Sequence, residues 1–372
     1  MSAPGSGWMA FEGRIGTSNQ STHGETAMRL ILTLTAVTLF PVAGIGHHST
    51  GGFYDTGAMI EVTGTVTEVF WRNPHVGLTL EVANDAGETE LWEIEGGAWN
   101  TVQRRGVTSE TVAIGDEIRV AGSPATRGVK AVWTSHIQIS SGEEFVLSDR
   151  PSPPRWTEAS SAPSIVSPGA ATAAAEAATG IFRVWSSVRG FGGTIEPPAL
   201  TAEAQALKDQ WDQAVDDPGL RCEAPGMPNA ILNPYPIQFI DEGDRIRLLI
   251  EEWDGNRVIY MDPATTPADP PVHHLGHSVG SWEGNTLVVE IDHVSAPYLD
   301  AQGTPMSDAV TMVERFTLSD DETGLEYEVT VTDPVYLTAP AVWQRSYAWV
   351  PGVEVKPFDC TLRETGRSVY EN

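Results

Sequence analysis

The chain is poor in cysteine, poor in basic residues and without an apolar stretch long enough to cross a bilayer, and each shortage removes a class of protein. With 22 Lys+Arg against 50 Asp+Glu the net charge is −28, a field that repels nucleic-acid phosphates and anionic lipid surfaces. Nucleic acid is therefore not an expected partner. The apolar run over 30–40 is about half the ~20 residues that a span needs, so stable membrane insertion is not expected either. No phosphate-cradling glycine loop, dinucleotide fingerprint, zinc-protease helix motif or haem-attachment cysteine pair occurs, which argues against nucleotide-dependent chemistry. What is abundant is punctuation: 36 Gly and 26 Pro in 372 residues, a balance that favours a turn-rich β protein over a helical bundle.

Residues 1–27 are polar and aperiodic and read as an over-long start or a tail. From Met28 one basic residue, the apolar run, Pro41 and small residues follow in the order of a secretory signal. Cleavage after Gly44 or after Gly46 would fit, so 1–46 is set aside from the fold and the protein is expected in the periplasm or outside the cell. In that oxidising setting the two cysteines, Cys222 and Cys360, are expected to pair, and neither has the short-range Cys or His neighbour of a zinc motif.

Alternating β-branched residues predict strands over 59–71, 77–83 and 89–95, a short helix over 98–105, and strands over 116–122 and 130–140. That order suits an OB-like five-stranded barrel within 47–149. Residues 150–180 are rich in Pro, Ala and Ser and are expected to be a linker without fixed structure. One amphipathic helix is predicted over 201–215, capped by Thr201, with Ala204, Leu207, Trp211 and Val215 as its stripe. Eight strands follow over 236–241, 245–253, 257–262, 279–282, 286–291, 311–318, 325–331 and 341–350, several separated by Gly-containing hairpin signals. Within 181–372 this makes a larger antiparallel up-and-down, calycin-like barrel with one flanking helix. The fold class is all-β.

Several motifs are familiar. His47-His48-Ser49 after the signal, Gly64-Thr65-Val66-Thr67-Glu68-Val69, Trp71-Arg72-Asn73-Pro74-His75, Trp92, Glu95-Gly96-Gly97 and Arg104-Arg105-Gly106 resemble a family of exported bacterial domains of unknown function. Gly46 departs from the Ala usual there, and both cleavage positions stay open. Asn233-Pro234-Tyr235-Pro236, Gly276-His277-Ser278-Val279-Gly280-Ser281-Trp282-Glu283-Gly284 and Val313-Glu314-Arg315-Phe316 resemble a second uncharacterised exported β domain. The resemblance implies export and carries no activity.

Three groups of residues carry the chemistry. His47 and His48, near a new N-terminus, would join an amine and a further imidazole such as His75 in a nitrogen site suited to Cu(II); the bland alternative is a flexible arm. His273, His274 and His277, followed by Asp292-His293, offer donors to zinc or copper. Alternatively His277 is a general acid/base oriented by Asp292 or Glu314. Trp282, Arg315, Arg345 and Tyr347 are expected to line the larger barrel, the arginines as an inward ion pair or as an anchor for a ligand carboxylate. A histidine in the fifth strand, His136, reads as a packing residue.

The leading expectation is an exported, non-catalytic protein that binds a small molecule or a transition metal, copper or zinc. A hydrolase or isomerase working in the second barrel and an envelope adaptor are the alternatives.

Overall fold

The computed structural model describes residues 53–126, 128–148, 152–158, 167–187 and 196–361. The expected signal, both cleavage positions, His47 and His48 lie outside the described residues.

The first barrel is built from β1 (Ile60–Phe70), β2 (Gly77–Ala83), β3 (Thr89–Glu95), β4 (Glu117–Pro124) and β5 (Ala131–Gln138), with the helix Trp99–Gln103 after β3 and a short β6 (Glu144–Val146) beside β5. The order β3-β2-β1-β4-β5 closes because β3 pairs parallel with β5, which leaves no free edge in the five-strand ring. Val62, Val66, Leu78, Leu80, Ile94, Ile118, Val120 and Val132 fill it, as the period-2 pattern requires. Asn73, at the rim, is 2% exposed: it accepts the Asn100 N–H and donates to the Phe358 carbonyl. It caps backbone, as a structural turn residue does. His75 packs edge-on against Trp133 at 5.0 Å, whereas Trp71 stacks with Trp99. His136 is satisfied by Ser135 Oγ (2.8 Å) and the Pro153 carbonyl (3.0 Å).

Two stretches of the segment expected to be a linker, 152–158 and 167–180, are among the described residues. Glu144, fully buried, accepts the backbone N–H groups of Arg155, Trp156 and Thr157 and the Thr157 hydroxyl. A helix then spans Pro168–Ala177, capped by Ser167, whose hydroxyl accepts the Ala170 N–H at 3.2 Å. Alanine carries the highest helix propensity and Pro suits the first helical position, so composition read as "linker" also encodes this helix.

The second barrel is closed by nine strands: β7 (Val184–Ser187), β8 (Ile237–Asp241), β9 (Arg245–Ile250), β10 (Gly255–Tyr260), β11 (His277–Glu283), β12 (Thr286–Asp292), β13 (Thr311–Leu318), β14 (Gly324–Thr332) and β15 (Ala341–Trp349). The eight predicted strands are present. The ninth, β7, closes the ring between β15 and β8. Eight neighbour pairs are antiparallel, and β10 pairs with β11 in parallel through Ile259↔Ser278 and Tyr260↔Val279. An odd ring cannot alternate throughout, so one parallel seam is obligatory. The antiparallel barrel thus carries one parallel neighbour pair, reached by a crossover rather than a hairpin.

The predicted helix over 201–215 is broken. Thr201 does cap it, accepting the Ala204 N–H at 3.3 Å, but the helix ends at Lys208 and a separate turn spans Gln213–Asp216. The break turns the Trp211 ring onto Gly303, where a Cβ would sit 2.2 Å from it. Leu207 and Val215 stay at least 40% exposed. Packing of one large ring outweighs continuation of a short, marginal helix.

After β15 the chain returns to the first barrel as a strap. The Pro357 carbonyl accepts from Asn100 (3.0 Å), the Lys356 N–H donates to the buried Glu251 (2.9 Å), and Arg104 reaches the same carboxylate with both terminal nitrogens. Phe358 is fully buried against Tyr235 and Trp253. Cys360 is bonded to Cys222, as expected.

Candidate metal centre

β11 and β12 are antiparallel with His277 directly opposite Asp292. Side chains on a strand alternate, so these two point outward while their neighbours Ser278 and Ile291 are buried inside. His293, one residue past β12, sits at φ 53°. That left-handed conformation, uncommon outside glycine though tolerated by His, turns its ring back toward the carboxylate that precedes it. Asp292 Oδ1 thus takes His277 Nδ1 at 3.1 Å and His293 Nδ1 at 2.8 Å. One donor atom from each of His277, Asp292 and His293 lies within 4.8 Å of the others.

Two glycines make the approach possible. Gly276 has φ 68°, and a Cβ there would lie 2.6 Å from Ile291 Cγ2 and 2.8 Å from the Asp292 carbonyl. Across this contact the His273 N–H donates to the His293 carbonyl and the Ser295 N–H to the His273 carbonyl, each at 3.0 Å. Gly280 does the same for the seam, where a Cβ would meet Met261 Sδ at 2.6 Å. The Gly276-His277-Ser278-Val279-Gly280 run therefore joins two close backbone approaches with one outward imidazole and one inward hydroxyl.

Electrostatics prepare the group. Burial pushes the Asp292 carboxyl up, but hydrogen bonds from His293 and His277 outweigh it and hold the acid below its ordinary range. An ionised carboxylate only accepts, so each imidazole donates to it through Nδ1–H. His277 Nε2 is buried and without a hydrogen-bond partner among the described residues. The His277 side chain is 11% exposed, His293 39% and Asp292 51%. Tyr260 flanks His277 at 5.7 Å between ring centroids. Two imidazoles and a carboxylate are a donor set for zinc or copper.

His273 and His274 do not join this group. Their rings lie 4.2 Å apart, and His273 Nδ1 accepts the Leu275 N–H at 3.2 Å. Burial, and then the neighbouring His273, lower the His274 pKa.

Glu314 is on the opposite side of the sheet from His277. It is fully buried inside the barrel, 2.6 Å from Arg257 Nη2, and accepts the Tyr327 hydroxyl at 2.8 Å; Arg257 Nε donates to Ser278 Oγ at 2.7 Å. Burial, then the Glu314 charge, raise Tyr327 well above its ordinary value. Arg345 and Tyr347 are buried inside: Arg345 Nη2 donates to Ser187 Oγ (2.9 Å) and the Tyr347 hydroxyl to the Ile231 carbonyl (2.8 Å), with burial pushing Tyr347 to about 12. The other two expected lining residues are not inside. Arg315 is on the outer face with Glu283 at 2.7 Å, because its neighbour Glu314 takes the inward position. Trp282 is 46% exposed near the end of β11, beside Phe182. Trp185, Phe239, Phe316, Tyr327 and Trp343 occupy the interior.

A cleft of about 320 Å³ lies elsewhere, lined by Val215, Pro218, Arg221, Ser295 and Tyr298 among others. Behind it Asp217 is 9% exposed, and burial raises its carboxyl from 3.8 to about 6. A raised folded-state pKa favours the native state fully below the unfolded value and loses that contribution as pH rises through about 6. At about 1.4 kcal/mol per tenfold change in protonation, the loss is of order 3 kcal/mol. Asp217→Asn keeps an acceptor for the Gly219 N–H. It should therefore raise the urea midpoint at pH 7.5 and leave it nearly unchanged at pH 4; equal shifts at both would contradict the account.

Among solved structures, a "secretary abundant heat soluble (SAHS) protein" from Ramazzottius varieornatus is similar at 12% identity and a TM-score of 0.21, over 32% of this chain and 74% of that one. No curated protein matches. Residues 36–133, from before the first barrel into β5, match the model of a family of unknown function, DUF6152.

Proposed function

We propose that the protein is an exported, non-catalytic binding protein for a transition-metal ion, Cu(II) or Zn(II), held on the outer face of the larger barrel. One observation carries this reading: His277, Asp292 and His293 bring three donor atoms within 4.8 Å. Imidazole nitrogens favour late first-row ions over magnesium or calcium, and copper binds such sites more tightly than zinc. A net charge of −28 draws cations of any kind toward the surface. The Cys222–Cys360 bond fits an oxidising compartment, periplasmic or extracellular, and among the described residues no helix is long and apolar enough to cross a membrane. A small molecule inside the barrel is less favoured, because aromatic side chains and the Arg257–Glu314 pair fill that space.

Equilibrium titration and native mass spectrometry with Zn(II) and Cu(II) test the proposal. One ion per chain is expected. His277→Ala should weaken binding by more than the roughly 10–100-fold that loss of an outer-shell partner costs, while His273→Ala leaves it unchanged. A wild-type protein that takes up neither ion refutes the reading. The unpartnered Nε2 of a carboxylate-oriented His277 favours a second reading, a general base. In that case metal-free protein would hydrolyse an activated ester and His277→Ala would not.

A further inference from the structure

We infer that this centre is an exchange site: its ion arrives and departs by ligand substitution on the Asp292 side, and its partner is an acceptor bearing nitrogen or sulfur donors. The inference rests on the metal reading above.

The ligands are graded in exposure. His277 is nearly buried, with the β11–β12 sheet behind it and Tyr260 beside it, whereas His293 and Asp292 are 39% and 51% exposed. An ion held from the sheet side has its open face toward solvent. Three protein donors leave a fourth position of a tetrahedral ion vacant, unlike structural zinc sites, where four protein ligands close the shell. An incoming ligand can bond there before any protein ligand leaves. Asp292 is the first to go, being the most exposed and, as a carboxylate, the hardest donor toward zinc or copper.

In the ion-free state the Asp292 carboxylate already has its partners. Asp292 Oδ1 accepts from both imidazoles, as the structure shows. On the far side of the His277 ring, Nε2 is buried and has no hydrogen-bond partner among the described residues. Ion binding at Nδ1 gives up the His277–Asp292 hydrogen bond and leaves Nε2 without a partner, as before, so the net gain on loading is reduced and release is favoured. A site for permanent retention would place an acceptor behind Nε2, as outer-shell partners of metal-bound histidines usually do.

The test loads the full chain with Zn(II) and follows transfer to the chromophoric chelator 4-(2-pyridylazo)resorcinol by stopped flow. The transfer rate should rise in proportion to chelator concentration. A rate independent of chelator, or no transfer over hours, overturns the inference and leaves the metal reading intact. Absence of Zn(II) uptake in an equilibrium titration overturns both. Asp292→Asn, which weakens the ligand assigned to leave first, should speed transfer at least about tenfold, the lower end of what loss of even an outer-shell partner costs in affinity; an unchanged rate removes Asp292 from that role.

Discussion

Glu314→Leu is expected to destabilise the protein by about 3–5 kcal/mol, the cost of removing one partner from a buried ion pair. Arg257 is 2% exposed and Glu314 fully buried, so truncating the acid strands a guanidinium among Met227, Ser278 and the barrel's aromatic lining. The Tyr327 hydroxyl loses its acceptor in the same step. Arg257→Met should be comparably harmful, because it leaves the carboxylate with only the tyrosine. The double variant is the informative one. A pair replaced by apolar residues of similar volume is often neutral or better, so Arg257→Met/Glu314→Leu should recover most of the loss. Urea unfolding of the two single variants and the double variant checks this. Additive losses would show that the two residues do not act as a pair.

Replacing Cys222 and Cys360 by Ala should cost about 5 kcal/mol on the chain-entropy account, since the bond closes a loop of 138 residues. The effect has a spatial counterpart. Cys360 anchors the strap that places Phe358 against Tyr235 and Trp253 and sets carbonyls before Asn73 and Asn100. Without the bond these contacts must hold the segment alone. Denaturation of the oxidised wild type against the double alanine variant measures the cost, and hydrogen exchange at residues 351–361 reports whether the strap frays first. A loss under about 1 kcal/mol would mean the denatured chain is already restrained near these positions.

Strands were legible because each is defined by its own alternation and by the glycines that end it, as at Gly243, Gly255 and Gly284. Pairing direction is not written in any one strand, and the β10–β11 seam went unseen for that reason. β7 is too short, at four residues, for its alternation to mark a strand. Parity could have placed two site residues better: Met312, Glu314 and Phe316 share one face, so Arg315 must take the other. His277 and Asp292 were both named from sequence, and cross-strand register makes them partners. His293 joins them through a backbone angle, and φ cannot be read from a residue type that tolerates both signs. His273 and His274 attracted attention by density alone, yet adjacent residues in a loop have no fixed period to aim them at one point.

The parity of the nine-strand ring also settles where the molecule can change over evolutionary time. Hairpins such as 283–286 are fixed in length by the strands they join, so an insertion there shifts register along a whole wall. The crossover over 262–272 sets no strand register, and it leads to the anchored His273, Gly276 and His277. New length, new charge or a further donor could accumulate in it at little cost to the barrel, within reach of the histidines.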